Sequence, residues 1–410
     1  MPYIADLHIH SKYSRATSPD MDIGNLSKWA KIKGINMLGT GDFTHPAWLK
    51  ELKEKLTEKE YGVYIHNGID YILSTEVSNI YFKNGKIRKI HNIIIVPSFG
   101  IADEINKVLG EYGTLESDGR PILSLECDKM AKSLRKISRE IMIIPAHIWT
   151  PHFSLFGSNS GFDNIEECFE EETASVTALE TGLSSDPPMN WRLSPLDKYT
   201  LVSNSDAHSP AKIGREVNVF KEKTDYRELK DILTKKDKER FLYTIEFFPE
   251  EGKYHWDGHR ACEARLSPKE SKNVNYRCPH CGKKLTIGVM NRVEYLADRA
   301  ENFVLETAPG YRNLVPLIEI IADSMGVGKE SIGAGREYHS LIQRLGSEFH
   351  ILLYMPKEEI LKMCPPAIAA GIINVREGRV RVLAGYDGVY GTIEIFAEGS
   401  KKEDKQLTFF

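Results

Sequence analysis

The chain has 410 residues, 41% hydrophobic and 27% charged, with a mean hydropathy of −0.35, a composition ordinary for a soluble protein of two or three domains. No window offers the ~20 apolar residues of a membrane span, and the start MPYIADLHIH lacks the basic segment and apolar core of a secretory signal, so a cytoplasmic location without a membrane partner is expected. The net charge of −4 excludes a global pull toward nucleic acid, yet residues 251–300 carry 10 Lys or Arg against 6 Asp or Glu, which makes that stretch the best placed to meet a polyanion.

In chain order, Tyr3 to His8, Ile35 to Leu38, Tyr71 to Val77, Ile90 to Val96, Ile141 to Pro145, Ala178 to Glu180 and Leu201 to Ser203 read as strands. Leu26 to Lys33, Trp48 to Lys59, Ile101 to Leu109 and Met130 to Ile137 read as helices between them. The turn Lys83-Asn84-Gly85-Lys86 makes one strand pair antiparallel. The alternation predicts an α/β fold over residues 1–246, a parallel barrel or a distorted relative of one. A loop-rich module is expected over 247–292. A smaller α+β domain over 293–400 follows, with helices at Val293 to Asn302, Leu314 to Met325 and Tyr338 to Leu345 and strands at Phe349 to Tyr354, Arg379 to Leu383 and Gly391 to Phe396; a charged tail, 401–410, ends the chain.

Residues two apart on a strand share a face, so His8 and His10 project together while Leu7 and Ile9 face away. The pattern returns in Asp206-Ala207-His208 after the run ending at Ser203. Glu76, His91, His147 and Asp42 stand at comparable places, and a barrel mouth gathers such strand ends. The set suits two or three divalent ions such as zinc, manganese or magnesium. Ions ~4 Å apart activate water and stabilise both oxygens of phosphoryl transfer, with Glu76 suited to bridge and Asp206 to ligate and orient the nucleophile. His8, His10, Glu76 and Asp206 are therefore the expected catalytic core.

Six cysteines do not make a disulfide framework in a chain of this length. Cys278-Pro-His-Cys281, completed by His259-x-x-Cys262, has the spacing of a structural zinc site, with His255 and His280 as rival ligands.

The ordered string His8-x-His10, Glu76, His91, His147, Asp206-x-His208 resembles the polymerase and histidinol phosphatase (PHP) family. The resemblance implies a distorted seven-stranded barrel with metal ligands at those seven positions. Many members carry Asp-His where this chain reads Asp42-Phe43, so whether Asp42 or His45 completes a third ion is open. The later segments KYHWDGHRACEARLSPKE, CPHCGKKLTIGVMNRVEYLADR, APGYRNLVPLIEIIADSMG and GYDGVYGTI resemble the endonuclease Q branch of that family. That implies cleavage of DNA on the 5′ side of uracil, hypoxanthine, xanthine and abasic sites, with the damaged nucleotide taken out of the stack. The alternative is a small-molecule phosphomonoesterase of histidinol-phosphatase type, which leaves the residues beyond the barrel without a task. Trp149, Trp191, Arg192, Tyr311 and Arg312 are candidates for the base or its flanks, and Lys283 and Lys284 for backbone phosphates. The tail KKEDKQLTFF partly resembles a sliding-clamp peptide, through Gln406 and the pair Phe409-Phe410.

Overall fold

A computed structural model describes residues 2–396, and their fold is mixed α/β. Strand Tyr3–Asp6 pairs in parallel with Met37–Gly39 and antiparallel with Val217–Phe220. Met37–Gly39 pairs in parallel with Ile69–Lys83, which folds back antiparallel on Lys86–Val96; that strand in turn pairs antiparallel with Met142–Pro145. Ala178–Glu180 and Thr200–Val202 lie parallel. Parallel bridges from Ile143 to Val176 and from Ile9 to Ala207 carry the path from one set to the other and back to the first strand.

The sheet is thus not wholly parallel, because some connections are too short for a crossover. Asn84 and Gly85 both take positive φ, 54° and 74°, as a two-residue hairpin turn requires. The hairpin is longer than its apolar pattern, since Ile69–Lys83 and Lys86–Val96 run on into polar ends. Along it, Ile93 and Ile95 enter the core shared with Tyr3, Ala5, Leu7, Met142 and Ile144. Ile90, Ile94 and Val96 enter the second core, formed with the helices. A strand covered on both faces reads as one apolar run, which is how this one reads.

Helix Ile23–Lys33 follows its signals closely: the Asp22 carboxylate accepts from the N–H groups of Gly24 and Asn25, and Gly34 closes it at φ 87°. The helix expected from Trp48 to Lys59 is instead Pro46–Lys55, since Leu56 turns extended and Thr57–Glu60 pairs with Val63–His66.

The run Phe349 to Tyr354, expected as a strand, is a π-helical turn over His350–Tyr354. Arg376 explains it: its guanidinium donates to the carbonyls of Leu352 and Met355, both at 2.7 Å, so the backbone needs no strand partner. Helices Leu317–Met325, Ile332–Leu345, Lys357–Met363 and Pro366–Arg376 dominate this region. Among the contacts that tie it to the rest, two place it on the first sheet and its helices. Strand Gly310–Asn313 pairs in parallel with Phe241–Glu246, and buried Lys33 Nζ lies 2.7 Å from Glu348 Oε2. Among the described residues no helix is long and apolar enough to cross a membrane. The tail proposed to hold a sliding clamp lies outside the described residues.

Candidate metal centre

Strand Tyr3–Asp6 stops two residues short of His8, because the Leu7 N–H donates to Asn204 Oδ1 at 2.9 Å rather than to a neighbouring strand. The Asp206 N–H donates to the His8 carbonyl at 2.9 Å and the His10 N–H to the Ala207 carbonyl at 3.0 Å. These bonds lay the two short motifs side by side. Leu7 and Ile9 are fully buried in opposite cores, and His8 and His10 point to the remaining side, where the middle of the 69–96 hairpin brings Glu76 and His91.

Two groups of ligand atoms result, and Glu76 belongs to both. Its Oε2 faces His10 Nε2 at 3.4 Å and His8 Nε2 at 3.7 Å, while Asp206 Oδ1 lies 3.0 Å and 3.8 Å from the same two nitrogens. Its Oε1 lies 2.8 Å from His91 Nδ1 and 3.0 Å from His147 Nε2. Within each group the ligand atoms are all within 4.8 Å of one another.

The histidines are held from behind. Both oxygens of buried Glu180 lie on His8 Nδ1, Asp42 Oδ1 lies 3.0 Å from His10 Nδ1, and Thr150 Oγ1 lies 3.1 Å from His147 Nδ1. When Nδ1 carries the proton toward such a partner, the Nε2 lone pair is turned inward. Among the described residues, His8 Nε2 is buried there without a hydrogen bond, and His10 Nε2 and Asp206 Oδ1 have only each other at 3.0 Å, an arrangement that costs stability unless something positive sits among them. The electrostatics agree. Burial opposes charge on His8 and His10, yet Glu180 and Glu76 around the first and Asp42 around the second push both pKa values well above the ordinary range. Burial also opposes charge on Glu76, but His91, Arg120 and His8 hold it well below the carboxylate range. Burial takes His91 down to about 4, which keeps it neutral as a ligand must be. The residues therefore fit divalent cations.

Asp42, His147 and Asp206 all sit at positive φ, 50°, 31° and 47°. For residues other than glycine such a backbone costs roughly 1–3 kcal/mol each and clusters at functional sites. Gly182 makes room for one of them, since a Cβ there would lie 2.4 Å from the His147 Cβ.

Of the eight residues expected as active-site ligands, His8, His10, Glu76, His91, His147 and Asp206 come together in these groups. Asp42 stands behind His10 and also accepts from Ser11 N, Ser11 Oγ and Ser14 Oγ. His208 packs its ring 4.5 Å from that of His10, and its Nδ1 bonds the Asp206 carbonyl rather than pointing into either group. Two residues that sequence reasoning missed are Glu180, in ALETG, and Arg120, whose Nη1 lies 3.1 Å from Glu76 Oε2. Neither stands in a spaced motif, and only the fold brings them to the site.

A second centre forms where Asp257–His259 pairs with Ala264–Leu266. His259, Cys262, Cys278 and Cys281 place their ligand atoms within 4.8 Å, a closed zinc-binding set, with His259 Nδ1 3.5 Å from Cys281 Sγ. Burial acts to raise the Cys278 thiol, but the backbone N–H groups of His280 and Cys281 bring it down to about 6. Cys262, hydrogen-bonded to Cys281, is pushed up to about 11. The rival His255 is buried elsewhere, with its pKa lowered to about 4 by burial.

The expected DNA-facing residues divide. Trp149 is 1% exposed, packs on Phe156 and donates to Asn190 Oδ1, so its ring does not reach the surface. Trp191 is also buried and meets the half-exposed Tyr311 edge-on at 5.7 Å. Arg192 is buried against Glu294, and Arg312 lies over the Tyr243 ring. Lys283 and Lys284 are exposed.

A sequence-family profile described as the MJ0043 C-terminal domain matches residues 316–379. Over 408 residues the chain is 30% identical to the uncharacterised protein YqxK of Bacillus subtilis, covering 95% of this chain and 98% of that one. Its structure is similar to the crystal structure of the lesion-specific endonuclease PfuEndoQ from Pyrococcus furiosus, with a TM-score of 0.88 at 31% identity over 98% of each chain. It is similar as well to an endonuclease Q complexed with a 27-mer duplex substrate bearing an abasic lesion at the active site, with a TM-score of 0.85 at 31% identity over the whole of both chains. By these full-length similarities, the chain belongs to the endonuclease Q family of DNA endonucleases.

Proposed function

We propose that this chain is a lesion-specific endonuclease that hydrolyses the DNA phosphodiester on the 5′ side of deaminated bases (uracil, hypoxanthine, xanthine) and of abasic sites. The observation that carries the reading is the double role of Glu76, one oxygen toward His8 and His10 and the other toward His91 and His147, in a chain of the endonuclease Q family. A carboxylate shared in this way suits adjacent cations, and the strand path that returns from Ala207 to Ile9 supports reading the first 246 residues as a distorted PHP barrel with the site in its mouth.

Two or three divalent ions held by His8, His10, Glu76, His91, His147 and Asp206 would supply an activated water and stabilise the attacking and leaving oxygens. The protein's own contribution is orientation. Glu180 and Asp42 fix the rings of His8 and His10 from behind, and Asp206, whose side chain is one-quarter exposed, faces the mouth and orients the nucleophile. A flipped nucleotide needs a second surface, and a cleft of about 1050 Å³ lies between residues 186–192 and the zinc segment, lined by Met189, Arg192, Trp256, Lys269, Lys272 and Tyr276. Exposed Lys283 and Lys284 would hold backbone phosphates, contacts that position DNA without reading it. Of the expected aromatic pair, Tyr311 is exposed and is the candidate for the base, with buried Trp191 packed edge-on against it.

The test is a set of matched duplexes, each with one uracil, hypoxanthine, xanthine or abasic site, or none, incubated with the manganese-loaded protein. Nicking of the damaged duplexes with the intact one spared supports the reading; equal cutting of all five refutes the lesion specificity.

A further inference from the structure

Arg120 sits in the loop Asp118-Gly119-Arg120, and the loop is drawn at its middle residue onto Asp42 and Ser14, which stand behind His10. The Gly119 N–H donates to the Tyr13 carbonyl at 3.0 Å, and its own carbonyl accepts from Thr44 Oγ1 at 3.2 Å. A Cβ on Gly119 would lie 2.3 Å from Asp42 Oδ2 and 2.4 Å from Ser14 Oγ, so any larger residue would lift the loop away. Beyond Arg120, the Pro121 carbonyl accepts from the N–H of Ser78, two residues along the strand from Glu76. The arginine is held at both ends.

Its guanidinium consequently meets Glu76 Oε2, the oxygen that also faces His8 and His10. The side chain is 27% exposed, so it stands at the mouth rather than behind the site. Nη1 takes Glu76, while Nε and Nη2 make no hydrogen bond among the described residues. Elsewhere in the cluster the supporting groups behind the histidines are acidic or hydroxyl-bearing, and Arg120 is the fixed cation in contact with Glu76 from the open side. Guanidinium is planar, permanently charged and fork-shaped, which matches paired phosphate oxygens better than a single carboxylate oxygen.

We propose that Arg120 is a catalytic residue that holds the non-bridging oxygens of the scissile phosphate and meets the negative charge that builds there. The inference rests on reading this site as a phosphodiesterase. In the hydrolysis, the water oxygen bonds to phosphorus, the bond to the leaving oxygen breaks, and that oxygen receives the proton that water loses. Arg120 stays protonated throughout and donates only hydrogen bonds.

The experiment compares the full-length, manganese-loaded wild type with Arg120→Met and Arg120→Lys. Calorimetric titration with inorganic phosphate reads the contact without turnover. Rates on an abasic-site duplex and on bis(4-nitrophenyl) phosphate read the reaction. We expect equal manganese content, phosphate affinity at least tenfold weaker in Arg120→Met, and kcat lower by about 10²-fold or more on any substrate the wild type cleaves; Arg120→Lys should fall between. A wild type that hydrolyses the small diester and spares the lesion duplex refutes the lesion reading, while the Arg120 comparison still decides this one. Unchanged phosphate affinity in Arg120→Met, a wild type that does not bind phosphate, or parallel loss of manganese in both variants overturns the proposal, the last because it makes Arg120 only a structural partner of Glu76.

Discussion

Both carboxylate oxygens of Glu180 lie on one nitrogen of His8, at 3.0 and 3.1 Å from Nδ1, across 172 residues of sequence. Glu180 also accepts from the His147 N–H at 2.8 Å and from Asn204 Nδ2 at 2.8 Å, so one buried side chain fixes ligands of both groups. Outer partners of this kind typically account for 10–100-fold in metal affinity. Glu180→Gln is expected to weaken manganese binding by that factor, read by calorimetric titration, with the fold retained. Unaltered manganese affinity would show that His8 needs no such support.

The zinc segment has a core of only Ala264, Cys278 and Leu285 with a few partly buried neighbours, too little to hold a fold without help. One tightly held zinc per chain should therefore survive mild chelation. Cys278→Ser should remove it and open residues 260–285 to proteolysis while strands of the first sheet stay protected from hydrogen exchange. Both are measured on the same sample, by elemental analysis and by mass spectrometry.

Lys33 and Glu348 form an ion pair with about 5% of each side chain exposed, and Glu348 also accepts from the Leu317 N–H and from Tyr338 Oη. Removing one member leaves a buried charge without its partner, at a cost of about 3–5 kcal/mol. Lys33→Met should lower stability to denaturant by that amount. Lys53→Met serves as the control, because its pair with Asp103 is exposed.

Glu246, which ends strand Phe241–Glu246, and Glu216, just before its partner strand Val217–Phe220, are both fully buried. Burial, with the charge of Asp186, takes Glu246 up to about 8, and burial with the charge of Glu246 takes Glu216 well above the carboxylate range. A carboxyl whose folded pKa exceeds its unfolded value, roughly 4.3, keeps its proton longer in the folded state. Stability should then fall as pH rises from about 5 to about 8, the window between the two values. Glu246→Gln should flatten that slope in thermal melts taken across the range; an identical slope contradicts the assignment.

The site was legible where spacing alone carries chemistry. His8 and His10 two apart, Asp206-x-His208 and the Cys-x-x-Cys turn announce ligands because strand and knuckle geometry converts such spacing into proximity. Asp42 and His208 carried the same signal, yet the fold sets one behind His10 and packs the other's ring against it at a tilt. Glu180 and Arg120 gave none, since their roles arise only from contacts 172 and 44 residues away in sequence. The fold shows the same division. Helix Ile23–Lys33 carries its caps locally, whereas the turn at His350–Tyr354 owes its shape to distant Arg376, and a short apolar run cannot reveal which neighbour it will find. Trp149 looked like a stacking platform for lack of any sign that Phe156 and Asn190 would enclose it.

The most direct measurement is a single-turnover cleavage of an end-labelled duplex carrying one abasic site, by wild type and by Asp206→Asn at equal manganese content, with the new ends mapped to the nucleotide. One cut immediately 5′ of the lesion is expected in the wild type, with a rate lower by about 10²-fold or more in the variant. A cut elsewhere, or equal rates in the two proteins, would contradict this reading.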